Sequence, residues 1–313
     1  MRIAAPLVNL LMNYAECRAV DRTALEALLD KPIDLCDDKE SISVEEYERI
    51  LNALNDKLND DKLGLSYGRY LNLSALGIAY KVSLAATSLT QAFQLLEGYL
   101  KNNFPLVTIK HQEAEGKVKM WLLCSIKDKV LNTHVLESTF MFMYRELCSM
   151  MDKEVVRPVI PQGNKAEYEE QIGANVINGA GYGFEINAAA IADGINKRNI
   201  RKIEILLPQF LLMLGAKNDK SFAAATRDMI LHMCTPELPT LQEVCRQFAM
   251  SDRTFQRKLN NEGASYRDIT NKIKMQLAAY LHAGDKMKTQ DIAHILGYSE
   301  SSAYLHAAKS WNS

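Results

Sequence analysis

The chain has 313 residues, of which 48% are hydrophobic and 24% charged, and its net charge is −1. Length favours two domains, and the composition is that of an ordinary globular protein rather than a disordered one. A near-neutral balance excludes a globally basic protein, so any nucleic-acid site must be local.

Ile3 to Met12 is an apolar stretch interrupted by Pro6 and Asn9 and soon followed by Glu16 and Asp21. It is too short to cross a membrane and has no small-residue cleavage site, so it reads as a short helix rather than a targeting signal. Leu7, Leu10, Leu11 and Tyr14 fit one face of that helix. Asp21 to Leu29 fits a second, ending near Lys31-Pro32. Ser43 with Glu46 three residues on is a capping box. The helix it opens has Tyr47, Ile50, Leu51, Leu54 and Leu58 on its core face. Gly64 and Gly68 read as an interruption. Leu84 to Asn102 is expected to be the next helix, with Ser88 or Thr90 near its start and Ala92, Phe93, Leu96 and Tyr99 inward.

The period then changes from helical to alternating. Val107, Ile109 and His111, then Val118, Met120, Leu122 and Cys124, flank Glu115-Gly116, which predicts a hairpin with a glycine turn. An apolar helix follows from about Asn132 to Met151. Glu154 to Ile160 reads as a strand closed by Pro161, Tyr168 to Gly173 as a helix end, Asn175–Asn178 and Tyr182–Asn187 as short strands, and Ala188 to Ile191 as a helical turn. This alternation predicts an α+β domain. Trp121, Phe140, Met141, Phe142, Met143 and Tyr144 could line a pocket for an apolar effector, with Trp121, Phe140 and Tyr144 as the candidate effector-binding residues, although residues of this kind also form plain cores. The loop Asn178 to Gly183 is rich in glycine, but a strand and not a helix is expected after it. It therefore reads as a β-turn rather than a dinucleotide loop.

Leu206 to Leu214 is apolar and is assigned to the N-terminal domain. The domains are thus expected at residues 1–214 and 222–313, with a linker at 215–221 around Gly215-Ala216-Lys217-Asn218-Asp219-Lys220. Phe222 to Met233 opens the second domain. Leu241, Val244, Cys245 and Phe248 then recur at helical spacing, Ala249-Met250 breaks the helix, and Ser251 is placed to cap the next one. On this helix Phe255 and Leu259 face inward, while Arg253, Gln256, Arg257 and Lys258 face outward, with Thr254 between. Two helices, a tight turn, and Arg and Gln on one side of the second form the helix-turn-helix pattern, which sets such side chains against major-groove base edges and phosphates. The pattern recurs from Thr289. Ile292, Ala293 and Leu296 form the apolar edge, Gly297 suits a left-handed turn, and Ser299 is again a candidate cap, 48 residues (299 − 251) after Ser251. Tyr304 falls where Phe255 fell. The candidate DNA contacts are Ser251, Arg253, Thr254, Gln256, Arg257 and Lys258 in the first unit and Ser299, Ser301, Ser302, Tyr304, His306 and Lys309 in the second. Tyr266 to Ala283 joins the two units as a longer amphipathic helix. An exposed basic helix face is, by itself, also what any solvated surface offers.

Residues 222–311 resemble the DNA-binding domain of AraC/XylS-type transcription regulators. The resemblance is carried by Leu241, Ser251, Phe255-Gln256-Arg257-Lys258-Leu259, Glu262-Gly263, Ile292-Ala293, Leu296-Gly297-Tyr298-Ser299, Ala307, Lys309 and Trp311. It implies an all-α domain with two helix-turn-helix units. Ala249 departs from the family's usual Gly, His306 from Arg and Ala308 from Phe; Ser310 stands where a basic residue is frequent. The chain stops at Ser313, before the family's final short helix. Residues 15–205 resemble the "arabinose-binding domain" class of effector domain. That likeness rests on Ser88-Leu89-Thr90-Gln91-Ala92-Phe93, His134 to Glu137, Glu167-Tyr168-Glu169 and Ile172-Gly173-Ala174-Asn175. It implies a small-molecule effector without naming it.

Enzyme motifs are missing: there is no Gly-x-Ser-x-Gly, His-Glu-x-x-His or P-loop, and the six histidines do not cluster in sequence. The six cysteines show no zinc spacing and read as reduced core residues of a cytosolic protein. No metal, cofactor or catalytic residue is expected. The expected function is a cytoplasmic, sequence-specific transcription regulator. Its expected partners are double-stranded operator DNA and a small-molecule effector, with RNA polymerase and a second copy of the chain as further candidates and no membrane. The alternative is a sensor or partner-binding protein whose helix-turn-helix module no longer binds DNA.

Overall fold

The computed structural model describes residues 1–71, 89–163, 165–192, 205–206, 209–210, 213, 219, 221–234, 237–283 and 287–311. It divides into two units, Met1–Ile200 and Arg201–Ser313. Most of the linker expected at 215–221, and the first residues of the helix expected from Leu84, lie outside the described residues.

The chain begins with a strand, β1 (Arg2–Ala4), and only then enters helix α1 (Ala5–Cys17). This corrects the helix expected from Ile3. β1 pairs antiparallel with β2 (Ser41–Ser43), which sets the fully buried Ile3 opposite Ile42. Pro6 sits in the first turn of α1, where a missing N–H costs nothing. α2 (Arg22–Glu26) is capped by Asp21. The Ser43–Glu46 capping box is formed in both directions and opens α3 (Val44–Leu58).

Gly64 and Gly68 do not interrupt a helix; they lie inside α4 (Leu63–Tyr70), all of whose residues are buried. Four residues apart, they share one face. A Cβ at Gly64 would stand 2.6 Å from the His134 carbonyl, and one at Gly68 would stand 2.4 Å from the Ser138 carbonyl. Both carbonyls belong to helix α6 (Lys129–Met150), so α4 and α6 pack backbone against backbone. The Asp128 carboxylate caps α6 by accepting from the Val130 and Leu131 N–H groups.

Helix α5 (Leu89–Asn103) leads into β3 (Val107–Ala114) and β4 (Lys117–Cys124). Their turn is the expected one: Glu115 and Gly116 take φ of 54° and 70°, the left-handed pair that matches hairpin twist. A short 3-10 turn precedes β5 (Val156–Pro161), which is followed by α7 (Lys165–Ile172), β6 (Ile177–Gly179), β7 (Gly183–Asn187) and α8 (Ala188–Ala192). The five-stranded sheet runs β3-β4-β7-β5-β6, antiparallel except for β5 with β6. β6 and β7 therefore flank β5 on opposite sides, so the Gly-rich loop is a crossover and not the β-turn expected. Gly183 lies opposite Trp121, and a Cβ there would meet the Met120 carbonyl at 2.0 Å. α6 packs across the sheet, with Phe140 stacked on Phe184 at 5.1 Å.

The described elements of the second unit are all helices: α9 (Phe222–Met233), α10 (Leu241–Gln247), α11 (Asp252–Asn261), α12 (Tyr266–Ala283), α13 (Thr289–Ile295) and α14 (Ser301–Trp311). α12 packs on both α9 and α14. No helix among the described residues is long and apolar enough to cross a membrane.

Candidate nucleic-acid interface and ligand cleft

α10 starts on a second capping box, Thr240 with Glu243, and ends at Phe248. Ala249 then adopts a φ of 50°, a left-handed conformation that reverses the chain. Ser251 caps α11, its hydroxyl oxygen accepting from the Thr254 N–H at 3.3 Å while its own hydroxyl donates to Thr254 Oγ1 at 3.1 Å. Phe222, Phe248 and Phe255 close into a triangle of rings, with centroids 5.1, 5.1 and 5.6 Å apart, that holds α9, α10 and α11 together. Glu262, just past α11, ties the same elements by accepting from the Phe222 and Ala223 N–H groups at 2.9 and 2.8 Å. On this frame Arg253, Gln256, Arg257 and Lys258 are exposed and Thr254 is half-buried. Arg253, Gln256 and Arg257 are neighbours at three- and four-residue spacing, so they share one outward face. The Lys258 ammonium lies 5.1 Å from the Phe222 ring centroid.

The second pair, α13 and α14, reverses at Gly297, whose φ of 81° is the counterpart of Ala249. α14 begins at Ser301, so Ser299 is not its cap; it stands exposed in the approach to the helix. Ser302 is exposed and donates to Glu300 at 3.0 Å, Ser301 is half-buried, and His306 and Lys309 are exposed. Tyr304 is not available to DNA, which corrects its place among the expected contacts. It is 2% exposed, its hydroxyl lies 2.9 Å from His282 Nε2, and its ring packs on Tyr298 and Trp311. It fills the core position that Phe255 fills in the first pair. Leu305, 49% exposed, occupies much of the outward face. Sequence reading missed Lys274, whose ammonium sits 4.4 Å from the Tyr298 ring centroid and whose pKa is lowered by burial. No spacing rule could reveal that pair, because the ammonium comes from α12 and the ring from the turn between α13 and α14.

The first unit contains an apolar cleft with about 530 Å³ of empty space, open solvent included. Leu7 of α1, Tyr47 of α3, Tyr67 of α4, Tyr99 of α5, and Thr139 and Phe142 of α6 border it. None of the described lining residues carries a charge. Phe142, expected to line a pocket, does so, but the candidates Trp121, Phe140 and Tyr144 lie elsewhere. Phe140 is fully buried and Tyr144 nearly so, both stacked on Phe184 of the sheet, and Trp121 is half-buried in β4. α6 is buried nearly all round, so periodicity could not tell its sheet side from its cleft side.

Beside the α4–α6 contact, Glu137 gathers groups from three places in the sequence. Tyr168 of α7 donates to its Oε1 at 2.5 Å and Tyr182 donates to it at 3.1 Å. Burial pushes the Glu137 carboxyl up to about 7. About two and a half turns further along α6, burial pushes Glu146 up to about 8. His134 is held below its usual range by burial, with Nε2 2.9 Å from Asn55 Oδ1. All six cysteines are thiols outside any disulfide; Cys36 is exposed, unlike the core residue expected.

An α+β unit with an uncharged cleft and a helical unit with an exposed Arg/Gln face have the composition of a ligand-responsive regulator. The family profile described as "Arabinose-binding domain of AraC transcription regulator, N-term" matches residues 20–192, more than half of the chain. The chain belongs to this family of AraC transcription regulators. It is similar to the ornithine utilization regulator of Pseudomonas aeruginosa, 21% identical over 316 residues covering 98% of this chain and 92% of that protein. It is also similar to VirS of Mycobacterium tuberculosis, 23% identical over 285 residues, 86% of this chain and 82% of that one. A shorter match, 31% identical over 84 residues, links it to VqsM of Pseudomonas aeruginosa and spans 27% of this chain and 26% of VqsM. Among solved structures, the transcriptional regulator CdpR from Pseudomonas aeruginosa aligns over 98% of this chain and 93% of its own, at 20% identity and a TM-score of 0.45. The family and these relatives are transcription regulators, not enzymes.

Proposed function

We propose that this chain is a cytoplasmic, sequence-specific DNA-binding regulator whose residues 222–313 carry two helix-turn-helix units, α10–α11 and α13–α14, and whose residues 1–214 sense a small molecule, with 215–221 as linker. The observation that carries the reading is the exposed face of Arg253, Gln256 and Arg257 on a short helix held by the Ser251 cap and the Phe222–Phe248–Phe255 cluster. Arg can donate two hydrogen bonds to a guanine edge, and Gln can pair in the same way with adenine. Lys258 and Lys309 suit phosphates, and Ser299, Ser301, Ser302 and His306 make the weaker contacts of the second unit. The effector acts by binding one of two arrangements of the protein better than the other, which shifts their populations. A second copy of the chain and RNA polymerase are the proposed protein partners.

The test is a salt titration of binding to the DNA upstream of the protein's own gene, with and without competitor DNA. Binding that survives competitor and weakens steeply with salt supports the reading. Binding that competitor abolishes, or none at all, favours a sensor that no longer reads DNA. The weakly polar face of α14, with Leu305 outward, is the feature that favours that second reading.

A further inference from the structure

The cleft of the first unit has a chemistry that restricts what it can hold. Tyr47 is 3% exposed and Tyr67 is 7% exposed, and both line the cleft. Neither hydroxyl has a hydrogen-bond partner among the described residues, and neither is among the buried oxygens left without one, so both are open to a ligand in the cleft. Burial drives both far above the ordinary phenol range, so each remains a neutral O–H donor. Tyr47 is close enough to Tyr67 to raise it further. Of the other hydroxyls bordering the cleft, Ser138 and Thr139 both donate to the Val135 carbonyl, at 3.0 and 2.9 Å, and Tyr99 has interactions of its own. The remaining described walls are Leu, Tyr and Phe side chains.

From this we infer that the cleft binds an uncharged, largely apolar small molecule bearing an oxygen acceptor (a ketone, ester, lactone or phenol), which Tyr47 and Tyr67 hydrogen-bond. The inference rests on the reading that the first unit senses an effector, and it names the site and the ligand class. A carboxylate or a zwitterionic amino acid does not fit. Its charge would meet no counter-charge among the described lining residues, a far larger cost than two phenol hydrogen bonds recover. A pure hydrocarbon fits the walls but leaves the phenols unpaired.

The experiment uses the full-length protein and Nile red, a neutral dye with a carbonyl acceptor, followed by fluorescence. Three competitors of one shape separate the alternatives: benzylacetone (neutral ketone), hydrocinnamate (its anionic counterpart) and butylbenzene (no acceptor). Benzylacetone should displace the dye, and hydrocinnamate should not. Tyr67→Phe should weaken benzylacetone about two- to tenfold, the worth of one hydrogen bond, and leave butylbenzene unchanged. Leu7→Trp, which fills the mouth from a half-buried position, should remove saturable dye binding. Equal competition by hydrocinnamate, a benzylacetone affinity indifferent to Tyr67→Phe, or dye binding indifferent to Leu7→Trp overturns the inference. DNA retardation by the same preparations is read separately. Loss of DNA binding by the unsubstituted protein would count against the regulator reading and leave the cleft result standing.

Discussion

At a φ of 50°, Ala249 holds its Cβ against the following carbonyl, a conformation that costs a non-glycine residue about 1–2 kcal/mol. Glycine would relieve that clash but lose about 0.4–1 kcal/mol to the greater freedom of its unfolded chain. Ala249→Gly should therefore stabilise the second unit by up to about 1 kcal/mol. Trp311, which packs on Tyr304, reports the unfolding of that unit by fluorescence in a Trp121→Phe background. A lower midpoint would mean that the turn is not left-handed. Glu137 offers a second test. Its carboxyl is raised to about 7 when folded, against the ordinary 4.5, so the folded protein holds a proton that the unfolded chain releases between those values. Its contribution is complete below pH 4.5 and is lost as pH rises through 7. Glu146, raised to about 8, adds to the same fall. Glu137→Gln keeps an oxygen to accept from Tyr168 and Tyr182. It should flatten the decline of melting temperature between mildly acid and neutral pH, and a decline as steep as before would exonerate Glu137.

At the scale of elements, the α4–α6 crossing carries the most constraint, because two glycines bring the helix backbones together. Gly68→Ala would force a Cβ to within 2.4 Å of the Ser138 carbonyl. Overpacking of this kind costs about 1–3 kcal/mol, so the variant should lower the denaturation midpoint of the first unit. An unchanged midpoint would mean that the helices are not in backbone contact. The same pair marks where sequence reading fell short. Glycine in a helix reads as a break until the partner backbone is known, and Gly64 and Gly68 were misread for that reason. Most caps and turns, being local, were legible: Ser43 with Glu46, Ser251, Glu115-Gly116 and the turns at Ala249 and Gly297 stand where the residues indicated, while the Ser299 cap and the Gly-rich β-turn do not. β1 and β2, three residues each, gave no period to read. The β6-to-β7 crossover depends on a pairing with β5 that no local signal encodes. Tyr304 was legible as the counterpart of Phe255, and that equivalence should have placed it in the core rather than on the DNA face.

For the whole molecule, the α+β and helical units were legible from the change of hydrophobic period, and the family from the motifs around Phe255 and Gly297. The cleft was not, because its wall is assembled from α1, α3, α4, α5 and α6. The two units have separate cores and one tryptophan each, Trp121 and Trp311. Denaturation should give two transitions, with Trp311 following the second unit, and Gly68→Ala should move only the transition reported by Trp121. Coincident transitions that shift together in that variant would mean that the units unfold as one. The central claim, that α11 reads sequence, is tested most directly by selecting from an operator library with four variants of the full chain. Gln256→Ala and Arg257→Ala should each relax preference at one base position and cost about 1–3 kcal/mol. Ser302→Ala and His306→Ala should leave the preferred sequence unchanged. If the second pair alters sequence preference as much as the first, or if neither pair matters while binding persists, α11 is not the reading helix.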